Sequence, residues 1–316
     1  MLLLWSGLLL GGAGPAKRPQ PVRIGALTDS WGPTPIVAGL RDGLQALGYR
    51  EGVQFVIGVR FTQGDVAALP AAARQLVQAG VDLLFVSDAG AAQAAQQATQ
   101  RIPIVFAGVG DPIALGLIES FARPGGNITG VTDLSLELSA KRLEVFRDLL
   151  PGLKRVLYPY SPADDLSAKT ARGYRDAARR LGIDLVEQAI GTQEEARTII
   201  TQVRKEEVDG ILHPASVSLN IPGFMLEATT QRAIPSMFTA AFMVEQGGLA
   251  SYGSDYHETG RQAARLVDKI LTGAEPAEIP VEVNQKIEFV INLKVVQALG
   301  LTIAPEVLFR ADRLIR

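Results

Sequence analysis

The sequence predicts an α/β protein of two Rossmann-like lobes, each built on a parallel sheet, joined by a hinge that the chain crosses several times. Three observations carry this expectation. Val81-Asp-Leu-Leu-Phe-Val86 is a short apolar run that ends in the small, polar Ser87-Asp-Ala-Gly90. That is the pattern of a strand buried on both faces with the loop at its carboxyl end. The pattern returns as Val208-Asp-Gly-Ile-Leu212 followed by His213-Pro-Ala-Ser216. Paired landmarks also recur in order: Leu47-Gly48, Val81-Asp82 and Ile102-Pro103, then Leu181-Gly182, Val208-Asp209 and Ile234-Pro235. Each has a local cause: a glycine stops a helix, a polar residue opens a strand, a proline is tolerated at a strand's first residue. Ordinary α/β units share such signals, but three in the same order imply two similar lobes.

Val22 to Thr28 reads as the first strand and Asp29-Ser-Trp-Gly-Pro-Thr34 as its loop. Ile36, Leu40, Leu44 and Leu47 then fall at helical spacing, with Gly48 as the stop. Val53 to Phe61 is the second strand, and Asp65 caps a helix with the apolar stripe Leu69, Ala73, Leu76 and Val77. The Val81 strand, an alanine-rich helix from Ala91 to Ala98 and the strand Ile102 to Ala107 follow. The glycine-rich Arg123 to Thr132 breaks the alternation and reads as the passage to a second lobe.

The second series starts with a helix from Leu138 to Leu150, then the strand Arg155 to Tyr158 and a helix carrying Thr170, Tyr174, Ala177 and Leu181 up to Gly182. Ile183 to Glu187, Glu194 to Lys205, Val208 to Leu212, a helix near Met225 to Arg232, and Ile234 to Phe238 continue the alternation. Gly248 to Tyr252 is a further strand. A long helix bearing Ala263, Leu266, Val267 and Ile270 ends at Gly273. Pro276 to Pro280 reads as a linker, Lys286 to Ile291 as a strand and Leu293 to Leu299 as a helix. The expected division is residues 1–21 as a leader, 22–132 with 243–275 as the first lobe, and 133–242 with 276–316 as the second.

Composition narrows the function. The net charge of −2 supplies no basic field for a nucleic acid. The absence of cysteine removes disulfides, thiolate metal sites, a cysteine nucleophile and a lipidated amino-terminal cysteine. Two histidines leave little for a histidine-based metal centre, and no metal or cofactor is expected. Leu2-Leu-Leu-Trp-Ser-Gly-Leu-Leu-Leu10, the small residues after it and Lys17-Arg-Pro-Gln-Pro21 resemble the apolar core and cleavage zone of a secretory signal. A basic start is missing from it, which fits a truncated start; an anchored or unstructured amino terminus is the other reading.

No phosphate-binding P-loop, dinucleotide glycine motif or nucleophile elbow is present. Asp164-Asp165 reads as a helix cap with a first-turn acid. His213, beside Pro214 at a strand end, is a cleft candidate, although a lone histidine there more often hydrogen-bonds than acts as a base. His257 reads as an exposed residue in a helix's first turn. The strand-end loops weigh more together than singly, since ligands in open α/β folds lie beyond the strands' carboxyl ends. The first lobe offers Thr28, Asp29, Ser30, Trp31, Ser87, Asp88, Ala89, Gly110 and Asp111; the second offers Tyr160, Ser161, Pro214, Ala215, Ser216 and Ser218; Tyr252, Ser254 and Asp255 come from the later strand. Backbone N–H groups at helix starts can hold a carboxylate, an aspartate can hold an ammonium, and Trp31, Tyr160, Phe242 or Tyr252 can wall an apolar body. Each of these residues is also an ordinary cap or turn former.

Several segments carry a family resemblance: Val81 to Val86, Ile102-Pro-Ile-Val-Phe-Ala-Gly-Val-Gly-Asp-Pro112, Ala122-Arg-Pro-Gly-Gly-Asn-Ile-Thr-Gly-Val-Thr132, Glu137-Leu-Ser-Ala-Lys-Arg-Leu-Glu144, Gly247-Gly-Leu-Ala-Ser-Tyr-Gly-Ser-Asp255 and Phe289-Val-Ile-Asn-Leu-Lys294. Together they resemble the bacterial ABC-transporter substrate-binding proteins whose best-known members bind tryptophan and related amino acids. The resemblance spans the chain after Val22. It implies a type I periplasmic-binding-protein fold and a monomeric periplasmic receptor that delivers a small ligand to a membrane permease with its ATPase. Four loops depart from the pattern: Thr28-Asp-Ser-Trp31, Ser87-Asp88, Ser161 and Ser254. Asp29 and Asp88 then favour a ligand with an amine, and Trp31 an aromatic one. Two other classes share parts of this reading. A sensing module would dock the same fold on a signalling receptor, and a two-lobed enzyme would need an acid–base pair or phosphate loop across the cleft.

Overall fold

The computed structural model describes residues 20–32, 34–133, 135–162, 164–214 and 229–316. The leader expectation for 1–21 therefore falls almost wholly outside the described residues, as do Ala215, Ser216, Ser218 and the first half of the helix expected near Met225 to Arg232.

The first lobe is a six-stranded parallel sheet. Its strands are β1 (Val22–Thr28), β2 (Phe55–Phe61), β3 (Leu83–Val86), β4 (Ile104–Ala107), β5 (Ile128–Thr132) and a late edge strand, Glu282–Val283, in the order Glu282–Val283, β5, β4, β3, β1, β2. Every residue of β3 and β4 is buried, as expected of apolar strands covered on both faces. The glycine-rich 123–132 stretch is not a passage between lobes. Its second half is β5, whose Gly130 lets Phe106 of β4 pack where a Cβ would stand 2.3 Å from the Phe106 carbonyl oxygen.

Helices α1 (Pro35–Ala46), α2 (Leu69–Gln78) and α3 (Ala89–Ala98) cover this sheet. The helix stop at Gly48 is as read, with φ +92°, but Leu47 turns out to solvent, 45% exposed, and the buried stripe runs Ile36, Val37, Leu40, Leu44. Asp65 caps a 3-10 turn, Val66–Ala68, that leads into α2.

The second lobe is a seven-stranded sheet. In chain order its strands are β6 (Arg155–Tyr160), β7 (Asp184–Ala189), β8 (Gly210–Leu212), β9 (Ser236–Phe238), β10 (Ala250–Ser254), and then Ile287–Asn292 and Arg313–Ile315. All pairings are parallel except β10 with Ile287–Asn292. Its helices are α4 (Leu138–Leu149), α5 (Asp165–Leu181), α6 (Gln193–Gln202), α7 (Ala241–Glu245), α9 (Leu293–Ala298) and α10 (Pro305–Arg310), while α8 (Tyr256–Leu271) belongs to the first lobe. The landmark pairs have a common structure. Asp82 accepts the Arg23 N–H of β1 at 2.7 Å, and Asp209 accepts the Arg155 N–H of β6 at 2.7 Å. In each lobe the aspartate just before one strand thus satisfies a backbone donor at the start of its neighbour.

The expected lobe boundaries need two corrections. Residues 243–275 do not return to the first lobe as a unit: α7 and β10 stay in the second, and the crossing falls between Ser254 and Tyr256. The stretch read as a linker, 276–280, leads into the first sheet's edge strand, and the chain leaves for the second lobe after Val283. The chain thus crosses three times, near 133–137, at Asp255 and at 284–286. Hydrogen bonds tie the crossings together. Asn284 N–H donates to the Thr132 carbonyl at 2.8 Å, the Asn284 side-chain amide donates to the Asp255 carbonyl at 2.8 Å, and Asp255 N–H donates to the Lys286 carbonyl at 2.9 Å.

Helices α1 and α8 approach with almost no side chain between them. A Cβ on Gly39 would meet the His257 carbonyl oxygen at 1.9 Å, and one on Gly260 would meet the Ile36 carbonyl oxygen at 2.0 Å. Neither backbone atom can rotate away. Gly260→Ala is therefore expected to destabilise the protein by about 2 kcal/mol or more despite alanine's better helix propensity. Urea unfolding reads this, and an unchanged midpoint would show that the helices separate at no cost.

Candidate functional site

The strand ends of the two lobes face one another across a cavity of about 910 Å3, within the range of small-molecule sites. From the first lobe the loop after β1 contributes Asp29, the turn after β2 Gln63 to Val66, the β3–α3 junction Ser87 to Gly90, and the loop after β4 Gly108 to Asp111. From the second lobe and the hinge come Asp133, Ser135, Leu136, Arg142, Ser161, Asp164, Leu166, Lys169, Thr192, Gln193 and Thr239, with Tyr256 at the second crossing. Ile36, Val66, Val109, Leu115, Leu136 and Leu166 give the cavity apolar walls.

Asp88 is the cap of α3, its Oδ1 accepting Ala91 N–H at 2.6 Å, while its Oδ2 accepts Asp29 N–H at 3.0 Å. This fixes the β1 loop against the β3 loop. Gly64 N–H holds the Asp29 carbonyl at 2.7 Å from the other side. Burial and then the neighbouring Asp88 and Asp164 carboxylates push Asp29 up to about 8. Burial also raises Asp88, opposed by the Ala91 and Asp29 N–H groups. Burial of both groups, and for Asp29 the neighbouring carboxylates, thus weigh against a doubly charged pair.

Arg142, 2% exposed, is the buried cation of the second lobe. It lies on the apolar stripe of α4 with Leu138, Val145, Phe146 and Leu149. Its Nε donates to the Tyr252 carbonyl at 2.6 Å and its Nη1 to the Tyr174 hydroxyl at 2.8 Å. Asp133, at the first crossing, is raised by burial and lowered by hydrogen bonds from Ser135 and by the Arg142 charge. Tyr256 is held protonated by burial and by Asp133. Lys169 of α5 reaches Asp111 of the first lobe at 2.9 Å, and this bond holds the Asp111 carboxyl below its ordinary value.

Of the residues expected at a site, Asp29, Ser87, Asp88, Ala89, Gly110, Asp111 and Ser161 line this cavity. Thr28, Ser30, Trp31, Tyr160, Pro214, Phe242, Tyr252 and Asp255 do not. Thr28 and Ser30 bond locally, Ser30 N–H to the Thr28 hydroxyl at 3.1 Å. Asp255 caps α8 and pairs with Lys286 at 2.8 Å. The expected aromatic wall is spent on packing. Tyr160 stacks on Tyr158 at 6.2 Å and Tyr252 meets Phe289 edge-on at 6.2 Å. Trp31 and Phe242 rest on the second lobe's apolar cluster around Phe238 and Ile211. Trp31 belongs to a first-lobe loop, so its contact spans the cleft. His213 is buried against Phe238 at 5.3 Å and does not line the cavity. Ser254 is buried off the cavity as well. Asp164 is the cap of α5, and His257 pairs with Asp42 at 2.8 Å.

Two α/β lobes on a three-crossing hinge, with a mixed polar and apolar cavity between them, define a receptor that closes around a small solute. The ABC transporter substrate binding protein family profile matches residues 26–315, and the chain belongs to that family. A curated relative, the tyrosine-binding protein of Clostridioides difficile, is 28% identical over 265 residues, covering 83% of this chain and 76% of the relative. The structure of an ABC domain in complex with L-Trp from Streptococcus pneumonia superposes with a TM-score of 0.83 at 30% identity, over 94% of this chain and 100% of that one. A conserved domain protein from Vibrio cholerae gives 0.84 at 31% identity, over 93% and 100%. The fold class expected from sequence, two lobes of the type I periplasmic-binding kind, is the one these structures share.

Proposed function

We propose that this chain is the extracytoplasmic receptor of an ABC importer and closes on a small amino-acid-like solute with an apolar body, which it hands to a membrane permease driven by an ATPase. It works as a monomer, without cofactor and without turning its ligand over. One observation carries the ligand class: a buried guanidinium on the second-lobe wall and carboxyls on the first-lobe wall share one cavity. After its bonds to Tyr252 and Tyr174, Arg142 keeps Nη2 for a ligand carboxylate. Asp29, Asp88 and Ser87 are the expected contacts of a ligand amine, and Ala89, Gly110, Asp111 and Ser161 complete the contact set. Trp31 acts from outside, as a clasp between lobes. The tyrosine-binding relative and the neighbour solved with L-Trp support an aromatic amino acid.

The test is thermal-shift screening of protein refolded from denaturant, so that carried-over ligand is lost. Its set is the standard amino acids and aromatic acids. A ligand at a hundred times its Kd stabilises the closed state by about 2.7 kcal/mol, and aromatic amino acids are expected to lead. No shift across the set would overturn the reading.

A further inference from the structure

The carboxyl pair on the first-lobe wall is wired unequally. Asp88 receives Ala91 N–H at 2.6 Å and Asp29 N–H at 3.0 Å. Two donors favour its anion. Asp29, 6% exposed, contacts the Asp88 side chain, yet its Oδ1 has no hydrogen-bond partner. The Ser87 hydroxyl, on a residue 9% exposed, has none either. Both residues line the cavity. A buried acceptor without a donor is costly unless a ligand supplies one.

The charged groups around the pair are mostly acidic. Asp65 lies on the turn after β2, and Asp164, at the start of α5 across the cleft, adds repulsion to Asp29. Asp111, tied to Lys169, and Asp133, beside Arg142, line the cavity elsewhere. Among the described residues no lysine or arginine bonds Asp29 or Asp88. Two neighbouring carboxyls out of water resist ionising together, and Asp29, the partner with fewer donors, is the one whose protonated form burial favours.

We infer that Asp29, Asp88 and Ser87 seat the ligand's protonated amino nitrogen, and that this ammonium replaces the proton shared by the two carboxyls. The exchange balances: the ammonium arrives with its three N–H bonds, Asp29 gives one proton to solvent, and the pair becomes the counter-charge the ammonium needs. Binding is thereby linked to proton release, and the receptor holds its ligand less tightly where protons are abundant. This rests on the amino-acid-like reading above.

Isothermal titration at pH 7 in two buffers of different ionisation heat tests it. The probes are the standard amino acids, aromatic ones first, each beside its 2-hydroxy acid. About one proton is expected to be released per amino acid bound, with affinity rising up to about tenfold per pH unit from 6 toward 8. The 2-hydroxy acids are expected to bind at least tenfold more weakly. Asp29→Asn, which keeps the shape, is expected to abolish proton release and weaken amino-acid binding at least tenfold. Amino acids that bind with no proton release, or 2-hydroxy acids that bind as well, overturn this inference and leave the receptor reading standing. If neither set binds, both fall.

Discussion

Arg142→Met is expected to abolish ligand binding and to destabilise the folded protein by about 3 kcal/mol. The substitution keeps the side chain's apolar length, so little volume is lost. What disappears is the charge and two hydrogen bonds, and the Tyr174 hydroxyl and Tyr252 carbonyl are left buried without a donor, at about 1–3 kcal/mol each. Asp133, already raised by burial, also loses the positive charge that opposes that rise. Urea unfolding measures the first effect and calorimetric titration the second. A loss of stability under about 1 kcal/mol would show that the cation is not integral to the α4 packing. Unchanged affinity would place the ligand carboxylate elsewhere.

Asp29→Asn is expected to do the opposite to the ligand-free protein at alkaline pH. The folded value of Asp29 is raised from 3.8 to about 8. A raised acid gives stability that is complete below its unfolded value and is lost as pH climbs through its folded value, because the native state then holds the extra proton. The wild type should therefore weaken between pH 5 and pH 9 relative to the Asn variant, by on the order of 3 kcal/mol. The double difference of unfolding free energies, variant against wild type at the two pH values, cancels groups the two proteins share. A double difference of zero would mean that Asp29 titrates normally. A positive one would mean that the residue seating the amine strains the empty receptor, as function often does.

Much of the fold was legible because its signals are local. β1 spans the expected Val22 to Thr28, Gly48 and Gly182 both take positive φ at helix ends, and the paired Asp82 and Asp209 mark equivalent strands. β5 was missed because Gly, Asn and Thr hide a buried strand whose pairing partners lie elsewhere in the chain. β10 lies in the second lobe and not the expected first, because a strand carries no mark of its sheet and a single residue separates it from the helix that does return. Half of the site was legible for a related reason, since Asp88 and Ser87 sit where any strand-end loop would. Arg142 is hidden among the charges of Lys141-Arg-Leu-Glu144, although it stands four residues after Leu138 and four before Phe146, on the stripe that should be apolar. Trp31, Tyr160, Phe242 and Tyr252 lie off this cavity because large rings at strand ends pack into the nearest core as readily as they wall a ligand.

The hinge also sets the order in which the molecule can be made. The first 132 residues contain five of the first sheet's six strands, so that sheet can assemble while the rest of the chain is still being synthesised. The second sheet waits for its edge strand at Arg313–Ile315, almost the last residues of the chain. Until α8 emerges, the glycine face of α1 stays bare and the young lobe lacks one of its covers. An early, incompletely clad lobe is the species a chaperone would meet, and a nascent chain stopped before residue 256 would present it in its longest-lived form.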